Sequence, residues 1–160
     1  MRPDDPNADF HDVLRMLLEH EVRFLVVGAH ALAAHGIPRA TQDLDVWIDA
    51  TPANATRVWR ALVEFGAPLG DLGVKDADFT QPDVVIQVGM PPNRVDILTG
   101  VTGLRFDDAW TARAEGIVEG VRVPILGRES LITNKRSAGR HKDLGDVEAL
   151  EKAARRPRAR

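Results

Sequence analysis

The chain has 160 residues, 44% hydrophobic and 28% charged, with a formal net charge of −3 and no cysteine. That length supports one domain with a real core, and the composition is ordinary for a soluble globular protein. The charge balance gives no case for a basic nucleic-acid coat or an anionic-membrane binder, and the missing cysteines exclude disulfides and thiolate metal sites.

Residues 1–7, rich in proline and aspartate, read as a loose N-terminus. Phe10, Val13, Leu14, Leu17 and Leu18 then recur at helical spacing and predict an amphipathic helix. Arg23 to Val27 reads as a first strand, His30 to His35 as a short helix with Gly36 as its stop, and Asp43 to Asp49 as a second strand. Thr51-Pro52 is a helix start, a capping hydroxyl followed by a proline in the first turn. Val58, Ala61, Leu62 and Phe65 line one side of that helix, and Gly66 ends it. A short helix is expected around Val74 to Phe79, then strands at Val84 to Val88 and Arg94 to Leu98. Phe106 to Ala114 reads as a helix and Ile117 to Val123 as an edge hairpin. Two closing helices, Arg128 to Ser137 and His141 to Ala154, precede a basic tail, residues 155–160, expected to be disordered. The mixed order of strands and helices predicts an α+β or α/β domain over residues 8–154, built on a short mixed sheet. No secretory signal pattern opens the chain, and no run approaches the ~18 apolar residues of a membrane span. The expectation is a cytoplasmic protein with no membrane partner.

The chemistry concentrates in the second and fourth strands. Side chains alternate along a strand, so Asp43 and Asp45 face one way while Leu44, Val46 and Ile48 face the core. Two carboxylates about 4 Å apart repel by roughly 4 kcal/mol at an effective dielectric of ~20. A divalent cation offsets that cost, and all-oxygen donors favour Mg2+ or Mn2+. Asp96 faces the same way as Arg94 and Leu98 on its own strand. If the two strands are neighbours, three carboxylates meet and can organise phosphoryl or nucleotidyl transfer, with Asp96 as a third ligand or a general base. The plain alternatives are aspartates that cap turns or face solvent. Upstream, the strand that ends at Gly28 and the helix that follows offer backbone N–H groups suited to phosphate.

These residues resemble a known family. Gly28-Ala29, Arg39-x-Thr41-x-Asp43-x-Asp45 and Asp96, in that order, look like the polymerase-β-like nucleotidyltransferase superfamily. The small prokaryotic branch, the nucleotidyltransferase / AbiEii-type toxin group, is the closest match. Lys135-Arg136 followed by Gly139-Arg140-His141-Lys142-Asp143-Leu144-Gly145-Asp146 is similar to that branch's C-terminal Lys…Arg…Asp signature.

The resemblance implies a nucleotidyltransferase-like mixed sheet flanked by helices. It implies metal-dependent transfer of a nucleoside monophosphate from an NTP to an acceptor hydroxyl, on RNA, protein or a small molecule, with pyrophosphate released. By resemblance Asp43, Asp45 and Asp96 bind the metal ions, and Gly28, Ala29 and His30 cradle the triphosphate. Lys135 contacts phosphate, with Asp143 as the acidic partner behind it. Arg39 and Thr41 are candidate phosphate contacts or loop braces. Arg140 and Lys142 belong to the densest basic cluster, which reads either as a solvated helix face or as a polyanion contact. One departure stands out: most members carry Gly-Gly or Gly-Ser where this chain has Gly28-Ala29, so no hydroxyl is available there. The rival readings are a non-catalytic module of a toxin–antitoxin pair that binds a nucleotide or a partner protein, and a metal-dependent phosphohydrolase or nuclease. His30 and His35 are expected mainly to pack, as are Trp47, Trp59 and Trp110.

Overall fold

Apolar residues at helical spacing, then short β-branched runs between glycines and prolines, set the element order of the chain. In a computed structural model the structure describes residues 8–40, 43–89 and 93–155. The expectations for residues 1–7, for Thr41 and for all but the first residue of the tail lie outside the described residues.

Helix α1 (Ala8–Glu19) leads into strand β1 (Phe24–Val27), helix α2 (Gly28–Ala34) and strand β2 (Asp43–Ile48). Helix α3 (Pro52–Phe65) starts as its sequence dictates. The Thr51 hydroxyl accepts from the Asn54 backbone N–H at 3.3 Å, and Gly66 closes the helix in the left-handed conformation. A 3-10 turn (Asp76–Thr80) precedes strands β3 (Val85–Val88) and β4 (Arg94–Leu98). Helix α4 (Phe106–Thr111), the hairpin of β5 (Ala114–Val118) and β6 (Val121–Ile125), and helices α5 (Arg128–Ala138) and α6 (His141–Ala154) complete the chain, with Arg155 closing α6.

Three differences from the sequence reading have local causes. Helix α2 begins at Gly28, two residues earlier than expected, because Gly28 itself turns the chain at φ +68° straight out of β1. The expected helix 106–114 stops at Thr111. Arg113 donates from its guanidinium to the Trp110 carbonyl, and Ala114 already pairs with Ile125 in the hairpin. The hairpin is only half an edge: β5 is outermost, but β6 runs parallel to β1 inside the sheet.

The six strands lie in the order β3-β4-β2-β1-β6-β5, with β2/β4 and β1/β6 parallel and the other pairs antiparallel. This is a mixed α+β architecture. Period-two alternation divides each central strand between two cores. Phe24, Val26, Leu44, Val46, Ile48, Val95 and Ile97 pack against α1, α3 and the 3-10 turn. Leu25, Val27 and Trp47 pack on the other face, against α2 and residues of α4, α5 and α6. The aspartates of β2 and β4 share this second face. Among the described residues no helix is long and apolar enough to cross a membrane.

One buried polar side chain, Asn54, ties the strands to α3. Its amide donates to the carbonyls of Arg23 and Asp49, at 3.0 and 2.8 Å, and its oxygen accepts from the Arg23 N–H at 2.8 Å. Buried backbone groups need such partners, and these three fix the end of β2 against the start of β1.

Candidate active site

The register of two parallel strands decides the geometry. Asp45 of β2 lies directly opposite Asp96 of β4, and Asp43 lies opposite Arg94. All four side chains stand on one face, since each pair of neighbours is two residues apart. Val27, the last residue of β1, faces Asp45 from the other side. The chain then turns at Gly28 against the carboxylate itself: a Cβ at Gly28 would overlap Asp45 Oδ2 and lie 3.1 Å from its Cγ. A glycine is therefore required twice there, by the positive φ and by the close approach.

The three carboxylates are not alone. Arg94 Nη2 donates to Asp43 Oδ2 at 2.7 Å. Its Nε faces Asp96 Oδ1 at 3.2 Å, within ion-pair range but off hydrogen-bond geometry, and both atoms are buried without a hydrogen-bond partner. Burial pushes the Asp45 carboxyl up to about 6, helped by the charges of Asp96 and Asp43 and by a hydrogen bond with Asp96, and opposed by Arg94. Asp96 is also raised, by burial first and by Asp43, with Arg94 working against the shift. The site thus concentrates more negative charge than its one guanidinium offsets.

The donor chemistry suits a hard divalent ion, since three carboxylates share one face and one buried oxygen lacks a hydrogen bond. With Arg94 between them, however, no three acidic or histidine side chains among the described residues form a ready metal cage.

A second cluster gathers the basic residues. Asp146 of α6, 2% exposed, pairs with Arg39 and, at 3.0 Å, with Lys135 Nζ of α5. Asp143 accepts from Arg140 Nε at 2.6 Å and lies 3.6 Å from Lys135 Nζ. The hydrogen bond from Arg140 holds the Asp143 carboxyl down at about 2. So Lys135 does have Asp143 behind it, but Asp146 is the nearer partner, and Arg39 is bound to the same carboxylate. Lys142 is exposed on α6. Ala29 and His30 lie in the first turns of α2. His30 packs edge-on against Phe10, with ring centroids 5.8 Å apart, and burial lowers its pKa against a hydrogen bond with the Asp43 backbone. His35 Nε2 contacts the Leu126 carbonyl at 2.8 Å.

Trp47 shares the face of the aspartates and is buried, stacked edge-on against Phe106 at 5.1 Å. It packs as expected, as does Trp59 against the first core. Trp110 stacks on Phe106 at 5.9 Å, with Arg23 and Arg113 over its ring. Arg94 and Asp146 are the residues that sequence reasoning assigned no task. The signal for Arg94 was its place two residues before Asp96, on the same face.

The family model for "Nucleotidyl transferase of unknown function (DUF2204)" matches residues 7–159. Among solved structures, TM1012 of Thermotoga maritima, which carries a provisional nucleotidyltransferase assignment, is similar over 96% of this chain and 93% of its own, at 16% identity and a TM-score of 0.55. The lincosamide antibiotic adenylyltransferase LnuA, solved with lincomycin, matches 91% of this chain and 96% of its own, at 13% identity and a TM-score of 0.55. ANT(2'')-Ia, solved with adenylyl-2''-tobramycin, matches 91% of this chain and 90% of its own, at 12% identity and a TM-score of 0.56. At these identities the likeness is one of fold. No curated protein sequence matches the chain.

Proposed function

The chain belongs to the family of nucleotidyl transferases of unknown function DUF2204, and on that premise we propose that it moves a nucleoside monophosphate from an NTP to an acceptor hydroxyl. The observation that carries this reading is the register that sets Asp45 beside Asp96, with the Gly28 turn against Asp45. Asp43, Asp45 and Asp96 would hold the divalent ion, Mg2+ or Mn2+. When bound there, it lowers the pKa of an acceptor hydroxyl and offsets charge on the phosphates.

The chain's own residues supply the rest. Asp96, with a buried oxygen that lacks a hydrogen bond and a raised pKa, would take the acceptor's proton if it serves as the general base instead of a metal ligand. The acceptor oxygen bonds to the α-phosphorus as the bond to the departing pyrophosphate breaks. Gly28 and Ala29 offer backbone N–H groups to the triphosphate, with His30 beside them, and no hydroxyl helps at Ala29. Arg39, Thr41 and Lys135 are the cations and hydroxyl nearest in sequence logic to the phosphates, with Arg140 and Lys142 adding positive charge behind them. Asp143 and Asp146 fix the orientation of Lys135 and Arg39. The acceptor is an RNA end, a protein hydroxyl or a small molecule; LnuA and ANT(2'')-Ia, similar in fold, were solved with lincomycin and with adenylyl-2''-tobramycin.

The test is transfer of label from α-phosphate-labelled NTPs, with Mg2+ or Mn2+, to RNA, to protein and to a panel of small hydroxyl compounds. Transfer by the wild type and its loss in Asp43→Asn/Asp45→Asn is the expected result. Equal labelling by both proteins refutes the assignment. A second reading is favoured by one observation, the guanidinium of Arg94 among the carboxylates. It is a non-catalytic module of a toxin–antitoxin pair that binds a nucleotide or a partner protein in the cytoplasm. Nucleotide binding without transfer to any acceptor, together with a co-purifying partner protein, supports that reading instead.

A further inference from the structure

Arg94 stands between two of the carboxylates that would hold an ion. It reaches Asp43 with a well-formed charge-assisted bond of 2.7 Å and faces Asp96 at 3.2 Å without a hydrogen bond. One guanidinium thus spans two of the three carboxylates, holding one tightly and the other loosely. Its side chain is 29% exposed, although Nε is buried, so the residue is not sealed in the core. Asp43 is itself 32% exposed, at the solvent side of the pair. The register sets the Arg94 backbone directly across from Asp43.

We propose that Arg94 is a built-in counter-cation that competes with the divalent ion for Asp43 and Asp96, so that the ion loads only when the guanidinium leaves. The proposal rests on the metal-binding reading of the three aspartates and adds the device that regulates it. Before loading, Arg94 offsets the repulsion among the carboxylates and keeps the face of β2 and β4 assembled. During loading, the ion takes over that role. Affinity for the ion is the difference between two cations on one set of oxygens, so it is lower than the bare carboxylates would give. Wild type therefore requires a higher ion concentration than a chain without Arg94.

The experiment is a calorimetric titration of Mn2+ into the wild type, Arg94→Gln, Arg94→Lys and Asp43→Asn/Asp45→Asn, with thermal melts of each protein at zero and saturating Mn2+. Removing one charge-assisted competitor is expected to tighten Mn2+ binding about tenfold in Arg94→Gln. Arg94→Lys keeps the charge but cannot span both carboxylates, and is expected to tighten binding by a smaller factor. Without Mn2+ both variants melt below the wild type, and Mn2+ raises their melting temperatures by more than it raises the wild type's. If Arg94→Gln does not fold without Mn2+, Arg94→Lys carries the comparison. Equal or weaker Mn2+ binding in the Arg94 variants, with binding lost in Asp43→Asn/Asp45→Asn, overturns the role of Arg94 and leaves the carboxylate reading standing. Mn2+ binding that is absent from the wild type and from both Arg94 variants, or that survives in the double aspartate variant, overturns both.

Discussion

Replacing Gly28 by alanine tests the closest contact of the site. Two costs arise there, and a second glycine separates them. Gly28 has φ +68°, and holding an L-residue in that region costs roughly 1–2 kcal/mol. The new methyl would also overlap Asp45 Oδ2 and lie 3.1 Å from its Cγ. The carboxylate must turn away, and an off-rotamer side chain adds about 0.5–1.5 kcal/mol. The sum is about 1.5–3.5 kcal/mol, a large part of a typical domain's total of ~5–15 kcal/mol. Gly66 also has a positive φ, 101°, but nothing lies within 4 Å of its absent Cβ. Gly66→Ala therefore pays only the backbone strain. Urea denaturation of the two variants reads the difference, about 1 kcal/mol more for Gly28→Ala. Calorimetry then reads the displaced carboxylate as weaker Mn2+ binding in Gly28→Ala alone. Equal stability losses, with Mn2+ affinity unchanged in both variants, would refute the argument that Asp45 is held against the glycine turn.

Three further predictions concern charge and buried polar groups. Asp45 has its folded pKa raised to about 6 from an ordinary value of 3.8. Its ionisation therefore costs stability as pH rises between those values, and Asp45→Asn should be the more stable protein at pH 7. The gain is on the order of 1–2 kcal/mol after allowing for partial exposure, and it should vanish below about pH 4, as chemical denaturation across pH will show. Asp143 shifts the other way: its contribution is present above the ordinary carboxylate range and is lost as pH falls through about 2, so Asp143→Asn should flatten the acid limb of the stability profile. Asn54→Ala removes the side-chain partner of the Arg23 N–H and of the Asp49 carbonyl, while the Arg23 carbonyl keeps the Asp49 N–H, and should cost roughly 2–4 kcal/mol by urea denaturation. Mn2+ affinity should stay at the wild-type level, because Asn54 lies at the far end of β2 from Asp43.

Local chemistry was legible in the sequence because its causes are local. Thr51-Pro52 and Gly66 bracket α3 since a cap and a left-handed stop depend on a few neighbouring residues. The shared face of Asp43 and Asp45 followed from alternation alone, and the strand Arg94–Leu98 from its apolar alternation. Strand neighbours are a different matter. That β4 runs parallel to β2, and in the register that opposes Asp45 to Asp96, depends on how the chain crosses over through α3 and β3. The sequence posed this only as a condition. The partners of charged side chains were least legible. Arg94 was visible on the right face, but whether its guanidinium turns to solvent or to Asp43 is decided by burial on the second face. Asp146 was quoted within a signature, yet its pairing with Arg39 spans 107 residues that no spacing rule connects.

Because β2 lies between β1 and β4, synthesis order has a chemical outcome. An emerging polypeptide can pair β2 with β1 as a local antiparallel unit, but the contact from Arg94 back to Asp43 closes a separation of 51 residues. Until β4 arrives, Asp43 and Asp45 lack the Arg94 and Asp96 that lie across from them in the folded sheet. Truncated chains that stop before β4 should thus neither capture ions nor resist proteolysis, and the centre comes into being only with the finished sheet.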